Sequence, residues 1–218
     1  MPAGAESWQR HDWRGTAADF HSFEPPARRG VWSCSVESPA LILGSSQLPD
    51  VVSIACAQER GIEVVRRRSG GGVVFVHPDD SVWIDVTIPR NDDLWVDDVA
   101  GSMLWLGDVF VDALSPWVDG AVHRGAFDAG SAGRDVCFAS TSPGEVFVDG
   151  AKVVGISQRR TRDGARFQCV VYRRWAPTEW CPCLSGETAR SSTLALRVAT
   201  VDASTDDIVS AVMSRLSH

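Results

Sequence analysis

Lysine is almost absent from this sequence. The 218 residues include 21 basic side chains, and only one of them, Lys152, is a lysine. An ammonium group is a compact point charge on a flexible stem, whereas a guanidinium group is a planar fork of donors, so the two cations are not interchangeable. A single lysine in an arginine-rich chain indicates that position 152 needs the amine; a chance surface lysine is the alternative.

Long apolar runs and an excess of positive charge are also missing. No segment approaches the roughly 20 apolar residues of a membrane span, and the first residues lack a basic start followed by an apolar stretch. The formal net charge is −7, which argues against general binding to nucleic acid, because affinity for phosphate comes mainly from clustered cations. We therefore expect a cytoplasmic protein with no membrane or nucleic-acid partner, in which any anion site is local.

Cysteine is present without the signs of a disulfide framework. Six cysteines in a chain with no export signal are expected to be thiols. Cys181 and Cys183 form a CxC pair, but no second pair or histidine run completes a tetrahedral zinc set. We predict no metal site. His21 and the other histidines apart from His77 have no partner at metal or triad spacing, and His77 is expected to face solvent, with orientation of a ligand as the alternative.

The periodicity of the chain predicts a single α/β (α+β) domain. Hydrophobic residues make up 44% of the sequence, which is too apolar for intrinsic disorder and sufficient for one core. We expect a loosely packed N-terminal extension, with one short helix, in residues 1–30 and the folded domain in residues 31–218. Strands are predicted at 40–44, 62–65, 73–76 and 82–88, helices at 50–60, 94–114 and 206–216, and a loop at 175–192.

Two hairpin signals stand in the second half. Asp149-Gly150 and Asp163-Gly164 are typical of tight turns between antiparallel strands, and together they predict a three-stranded meander. Lys152 begins its middle strand. The sheet is therefore expected to be mixed and largely antiparallel, with helices packed against it.

A glycine-rich turn joins two of the earlier strands. It reads Arg66-Arg67-Arg68-Ser69-Gly70-Gly71-Gly72. Glycines let the backbone approach a ligand and expose successive amides, and the arginines would attract an anion. The pattern is neither a Walker loop nor a GxGxxG fingerprint. We interpret it as a cradle for an anionic ligand, with a solvated basic hairpin as the alternative.

Both segments resemble signatures of one family. Val65 to Gly72 resembles the RRxSGGG signature of the lipoate-protein ligase A and octanoyltransferase family, within the biotin/lipoate A/B protein ligase superfamily. Asp149 to Arg159 is similar to the second signature, a hairpin that carries the catalytic lysine, and Lys152 falls on that position. The resemblance covers about residues 39–172 and implies a class II synthetase-like catalytic domain.

The resemblance implies a specific reaction. The enzyme would activate lipoate or octanoate as an acyl-adenylate, with ATP and Mg²⁺, and transfer it to a lysine of a lipoyl domain of a 2-oxoacid dehydrogenase complex or of the glycine cleavage H protein. Lys152 would stabilise the charge that develops between acyl carbonyl and phosphate. Arg67, Ser69 and Arg159 match positions that contact the acyl-phosphate, and Gly70, Gly71 and Gly72 would cradle it. Strand 73–76 and Trp83 are candidate walls of an acyl tunnel.

Departures from the family pattern keep alternatives open. Gln168-Cys169 stands where such ligases often carry His-Gly. The chain has no room for the accessory domain of bipartite ligases, so an adenylating enzyme would work with the catalytic domain alone or with an accessory subunit. Cys137 lies where some octanoyltransferases of the superfamily carry a nucleophile, which would take octanoyl from acyl carrier protein as a thioester without ATP. Cys183 lies where another branch keeps its thiol. A non-catalytic acyl-binding or carrier protein is the third interpretation.

Overall fold

Two β-sheets form the framework of the computed structural model, which describes residues 7–130 and 132–217. Within those ranges the strands are β1 (Gln9–Gly15), β2 (Gly30–Val36), β3 (Ala40–Leu43), β4 (Glu63–Arg66), β5 (Val74–Val76), β6 (Ser81–Pro89), β7 (Ala121–Val122), β8 (Val146–Val148), β9 (Ala151–Arg160) and β10 (Gly164–Tyr172). The helices are α1 (Ala17–Ser22), α2 (Ile54–Glu59), α3 (Leu104–Leu114), α4 (Glu187–Ala195) and α5 (Thr205–Leu216).

The larger sheet is mostly antiparallel, which confirms the predicted fold class. Its strand order is β1-β2-β6-β10-β9-β8-β7, and β1 and β2 are its parallel pair. The smaller sheet has the order β4-β3-β5. Strands β6 and β10 lie at the centre of the large sheet, and nearly every residue in them is buried, because both faces of this sheet are covered.

Helices and the small sheet cover opposite faces of the large sheet. On one face, Leu106 and Phe110 of α3 and Ile208 and Val209 of α5 share a core with Val154 of β9. Each fully buried side chain of this kind contributes about 1.5–3 kcal/mol to the free energy of folding. The other face packs against the small sheet and α1, and α2 and the segment around Trp180 close the outer side of the small sheet.

The hairpin between β8 and β9 places Lys152. Asp149 and Gly150 both adopt left-handed backbone angles, with φ of 47° and 76°, as expected for a tight two-residue turn. Val146 pairs with Val154 and Phe147 with Lys152, so β9 accommodates one extra residue, Val153, as a β-bulge. A bulge interrupts the alternation of the strand and thereby re-aims the side chain next to it.

Three sequence predictions about elements are wrong in the described residues. Part of the N-terminal segment expected to pack loosely forms strand β1, paired in parallel with β2, although the predicted short helix is present as α1; residues 1–6 lie outside the described residues. Helix α4 begins inside the predicted loop 175–192, and its apolar content is low. Helix α3 begins at Leu104, because the Asp92 and Asp98 side chains accept backbone N–H groups before it and compete with helical bonding.

The cysteines correct a fourth prediction. Cys56 of α2 and Cys183 form a disulfide with a Cα–Cα distance of 5.2 Å, where thiols were expected. The sequence hides this pair because 127 residues separate its members. The other four cysteines are buried thiols. As for membranes, the described helices include none whose length and apolar character would suit a transmembrane span.

Candidate active site

A partly open pocket lies between the two sheets, and its empty space, counted together with the open solvent at its mouth, is about 370 Å³. Most of its wall is apolar and comes from Ile42, Val74, Trp83, Phe138, Gly155, Ile156 and Val170. Its polar lining consists of His21, Arg67, Cys137, Ser157 and Gln168. An apolar chamber with a few convergent polar groups is the usual form of a small-molecule site, and Val74 and Trp83 were among the candidate wall residues.

Arg67 points inward and organises the glycine turn. Its guanidinium donates to the carbonyls of Ile42 (3.0 Å), Gly70 (2.8 Å) and Gly72 (2.9 Å), and the residue is 3% exposed. Burial lowers the pKa of Arg67, and the nearby charge of Cys137 acts in the opposite direction. In this structure the side chain predicted to contact an acyl-phosphate therefore holds the turn against β3.

Cys137 is brought to the cavity by that turn. The Cys137 amide donates to the Val73 carbonyl (3.0 Å), which pairs this segment with the strand that leaves the glycines. A Cβ on Gly72 would lie 2.7 Å from the Val136 carbonyl carbon and 2.8 Å from the Cys137 nitrogen, so the close approach requires glycine. The thiol of Cys137 and the guanidinium of Arg67 flank Gly71, at 3.7 and 2.9 Å from the point where its Cβ would lie.

Lys152 lies behind the cavity rather than in its wall. Its Nζ donates to both carboxylate oxygens of Glu145 (2.8 and 2.7 Å) and to the carbonyl of Cys137 (2.9 Å). Both charged side chains are 1% exposed, and burial raises the pKa of Glu145 while the Lys152 ammonium lowers it. The Phe138 ring separates Nζ, 5.3 Å from its centroid, from Gly155 of the cavity wall.

Glu145 is a site residue that the sequence analysis missed. A fully buried ammonium needs a counter-charge, and the hairpin offers Glu145 at the entry of β8. Lys152 and the glycine turn thus meet at one residue, since Cys137 accepts from Lys152 through its carbonyl and donates to Val73 through its amide.

A chain of side-chain hydrogen bonds crosses the cavity floor. Ser69, 3% exposed, donates to Oε1 of Gln168 (2.7 Å), and its Oγ lies 3.2 Å from that of Ser157. Gln168 Nε2 lies 3.4 Å from Nδ1 of His21. Burial, together with the charges of Arg166 and Arg67, lowers the pKa of His21 to about 3. The cavity therefore holds a neutral imidazole, contributed by α1, that its sequence position did not reveal.

The remaining predicted anion contact has a protein partner. Arg159 donates to Glu24 (2.6 and 2.9 Å), and Arg68 donates to the same carboxylate (2.9 Å). Arg159 does not line the cavity wall described above. Glu24 thus neutralises two of the cations that the sequence offered to a phosphate.

Comparisons with known proteins agree with this arrangement of elements. A family model, the lipoyl protein ligase A/B catalytic domain, matches residues 21–177. None of the curated proteins matches the chain.

Three solved structures illustrate the likeness of fold. A bi-partite lipoate protein ligase from Thermoplasma acidophilum, studied with its E2 lipoyl domain, is 16% identical with a TM-score of 0.69, over 97% of this chain and 82% of that one. A lipoate-protein ligase A bound with ATP is 15% identical with a TM-score of 0.71, and the match covers 97% of this chain and 83% of that one. P. falciparum LipL1 in complex with lipoate is 11% identical with a TM-score of 0.63, and the match covers 96% of this chain and 61% of that one. At these identities the likeness establishes the fold alone.

Proposed function

Since the chain belongs to the lipoyl protein ligase A/B catalytic-domain family, we propose that it transfers a medium-chain acyl group, such as octanoyl, to a lysine of a lipoyl domain through a thioester on Cys137. The observation that carries this proposal is the placement of the two candidate catalytic groups. The Cys137 thiol faces an apolar cavity beside Arg67, whereas Lys152 lies outside the cavity wall with its ammonium held by Glu145 and a carbonyl.

The reaction has two balanced steps. The Cys137 thiolate attacks the carbonyl carbon of octanoyl acyl carrier protein; the new Sγ–C bond forms as the bond to the carrier sulfur breaks, and the carrier thiol takes up the proton. The lysine amine of the lipoyl domain then attacks the same carbon, the amide bond forms as the Sγ–C bond breaks, and one proton of the amine passes to the sulfur of Cys137. The Arg67 guanidinium and the Cys137 thiol flank the same glycine, and we assign the amides of Gly70 to Gly72 to the carbonyl oxygen.

The apolar wall suits the acyl chain of this donor. The side chains of Ile42, Val74 and Val170 present only apolar atoms to a methylene chain, so its contact with them removes apolar surface from water. Lys152 acts on Cys137 as a positioning residue, because its bond to the Cys137 carbonyl fixes the backbone from which the thiol extends.

The ATP-dependent ligase is the competing function, and the charges in the site do not favour it. A triphosphate needs cations, but Arg67 donates to three carbonyls, Arg68 and Arg159 share Glu24, and Lys152 is paired with Glu145.

An intact-mass assay of a lipoyl domain separates the two functions. With octanoyl acyl carrier protein and no ATP, we expect the mass of the lipoyl domain to rise by one octanoyl group and the enzyme itself to carry a transient octanoyl adduct. Cys137→Ala should abolish both signals, whereas the control Cys169→Ala, which removes another buried thiol that does not line the cavity, should retain them. Acylation that requires ATP and octanoate, and survives Cys137→Ala, would establish the ligase instead.

A further inference from the structure

A buried nitrogen atom without a hydrogen-bond partner in the described part of the chain belongs to a residue that lines the same cavity as Cys137. His21 is 8% exposed and lines the cavity, and within the described residues its Nε2 atom is buried without a hydrogen-bond partner. Buried polar atoms in proteins nearly always have partners, so an exception in a cavity wall points to a ligand. This imidazole takes no part in the transfer steps above.

The hydrogen bonds of the cavity floor determine which atom carries the proton. Ser69 donates to Oε1 of Gln168, so the amide nitrogen of Gln168 faces Nδ1 of His21. The same nitrogen also donates a hydrogen bond to the Asp85 carboxylate. Nδ1 therefore accepts, and the single proton of the neutral ring resides on Nε2. The hydrogen-bond chain from Ser69 through Gln168 to His21 therefore ends in the Nε2–H group, which needs an acceptor on a ligand bound in the cavity.

His21 is held firmly in this position. The amides at the start of α1, Ala17 and Ala18, donate to Glu63 (3.0 and 3.2 Å), and at its end Arg166 donates to the carbonyls of Phe20 and Phe23. The imidazole also packs on the Trp83 ring with 4.9 Å between centroids. A donor fixed in this way discriminates between ligands, because the protein cannot move it to find another partner.

The sheet register separates His21 from Phe138, the residue that follows Cys137, by two strands of the large sheet. Val170 pairs with Gly155 on one side and with Trp83 on the other, so these three residues form one row across the sheet. Phe138, the neighbour of Cys137, lies over Gly155, and His21 lies over Trp83. Two strand spacings, about 10 Å, separate the ends of this row.

We propose that His21 makes the cavity selective for acyl groups that carry a hydrogen-bond acceptor, such as a hydroxyl or keto oxygen, at the end remote from the acyl carbonyl. The inference rests on the proposed function, since it takes the carbonyl to lie at Cys137 and the chain to run along the row toward His21. A chain that ends in a methyl group leaves the Nε2 donor unpaired, whereas an oxygen at that end completes the hydrogen-bond chain.

Calorimetric titration with two matched acids tests the selectivity directly. The probes are 8-hydroxyoctanoate and nonanoate, which have the same number of heavy atoms and differ in a terminal hydroxyl or methyl group. We expect the full-length protein at neutral pH to bind 8-hydroxyoctanoate about tenfold more tightly, as one satisfied buried donor allows. His21→Phe should abolish or reverse that ratio. The control His123→Gln should keep it, because His123 directly follows β7, the edge strand at the other end of the large sheet.

The outcomes separate this inference from the proposed function. Equal affinity for the two acids, binding of neither, or a preference that persists in His21→Phe would overturn the role of His21, even if octanoyl transfer through Cys137 occurs. A preference that depends on His21 would uphold that role even if no transfer is detected. Because affinities are compared as a ratio within each variant, a uniform loss of folded protein in His21→Phe does not change the result.

Discussion

At the scale of single residues, Lys152 serves as a buried clamp rather than an exposed cation. Its partners are the two carboxylate oxygens of Glu145 and the carbonyl of Cys137. Three N–H donors on one nitrogen suit three acceptors that converge at a point, whereas the planar fork of a guanidinium would not. This geometry supports the hypothesis, made from the scarcity of lysine, that position 152 needs an amine.

Removal of the ammonium should destabilise the protein strongly. We expect Lys152→Met to lower the free energy of unfolding by about 3–5 kcal/mol, because it leaves the Glu145 charge buried without a partner. Adding Glu145→Leu should restore most of that loss, while acyl transfer stays low, since the bond to the Cys137 carbonyl is absent from both variants. Urea unfolding followed by fluorescence measures the first effect. A double variant as unstable as the single one would show that the pair does not behave as a buried charge couple.

At the scale of elements, the glycine turn and the segment before Cys137 form one unit. The turn is held from inside by Arg67, and its last glycine touches the backbone of Val136 and Cys137. The sequence predicted a functional role for this turn, as a cradle for an anionic ligand. It did not predict that the third glycine, Gly72, lets the backbone of Cys137 approach, because the two positions are 65 residues apart along the chain. The position of Cys137, the proposed nucleophile, therefore depends on a turn to which that residue does not belong.

A methyl group on the turn should displace the thiol. Gly72→Ala places a Cβ within 3 Å of the Val136 and Cys137 backbone, which cannot rotate away as a side chain could. We expect it to cost about 1–3 kcal/mol of stability and to reduce octanoyl transfer by about 100-fold, because small displacements of reacting groups are that costly. Gly70→Ala, whose Cβ would meet nothing within 4 Å, should be milder. Equal effects of the two substitutions on the transfer rate would contradict this explanation.

At the scale of the whole molecule, four layers follow one another: α3 with α5, the large sheet, the small sheet with α1, and α2 with α4. The cavity lies between the two sheets, so its walls come from strands that are distant in sequence. The disulfide Cys56–Cys183 lies on the outer side of the small sheet, where it joins α2 to the turn before α4.

Reduction of this disulfide should loosen the outer layer. A bond that closes a loop of 127 residues restricts the unfolded chain, and native disulfides of this kind stabilise by about 2–5 kcal/mol. We expect dithiothreitol to lower the thermal midpoint of the wild type and to leave that of Cys56→Ser unchanged; Cys181→Ser, which removes a free thiol beside the bond, should still respond to the reductant. A wild-type midpoint that is insensitive to dithiothreitol would rule out a stabilising disulfide.

Local patterns predicted most of the elements correctly. The alternation of 82–88, the Asp149-Gly150 turn and the closing helix predicted at 206–216 each depend on residues close together in the chain, and the structure confirms them as β6, the β8–β9 hairpin and α5. The errors fall where the local signal is weak. Strand β1 has Trp13 as its only large apolar side chain and lies at the edge of its sheet, and α4 buries only Ala189 and Thr193.

By itself, the sequence determined the fold class, the glycine turn, the lysine hairpin and the family, because turns, periods and short signatures are properties of neighbouring residues. Only the tertiary structure decided which side chains meet: Glu145 with Lys152, Cys56 with Cys183, and His21 with Gln168 across 147 positions. These contacts follow from strand order and from the packing of two sheets. Burial then made one imidazole neutral and left its Nε2 donor without a partner among the described residues, which no pattern of residue types along the chain expresses.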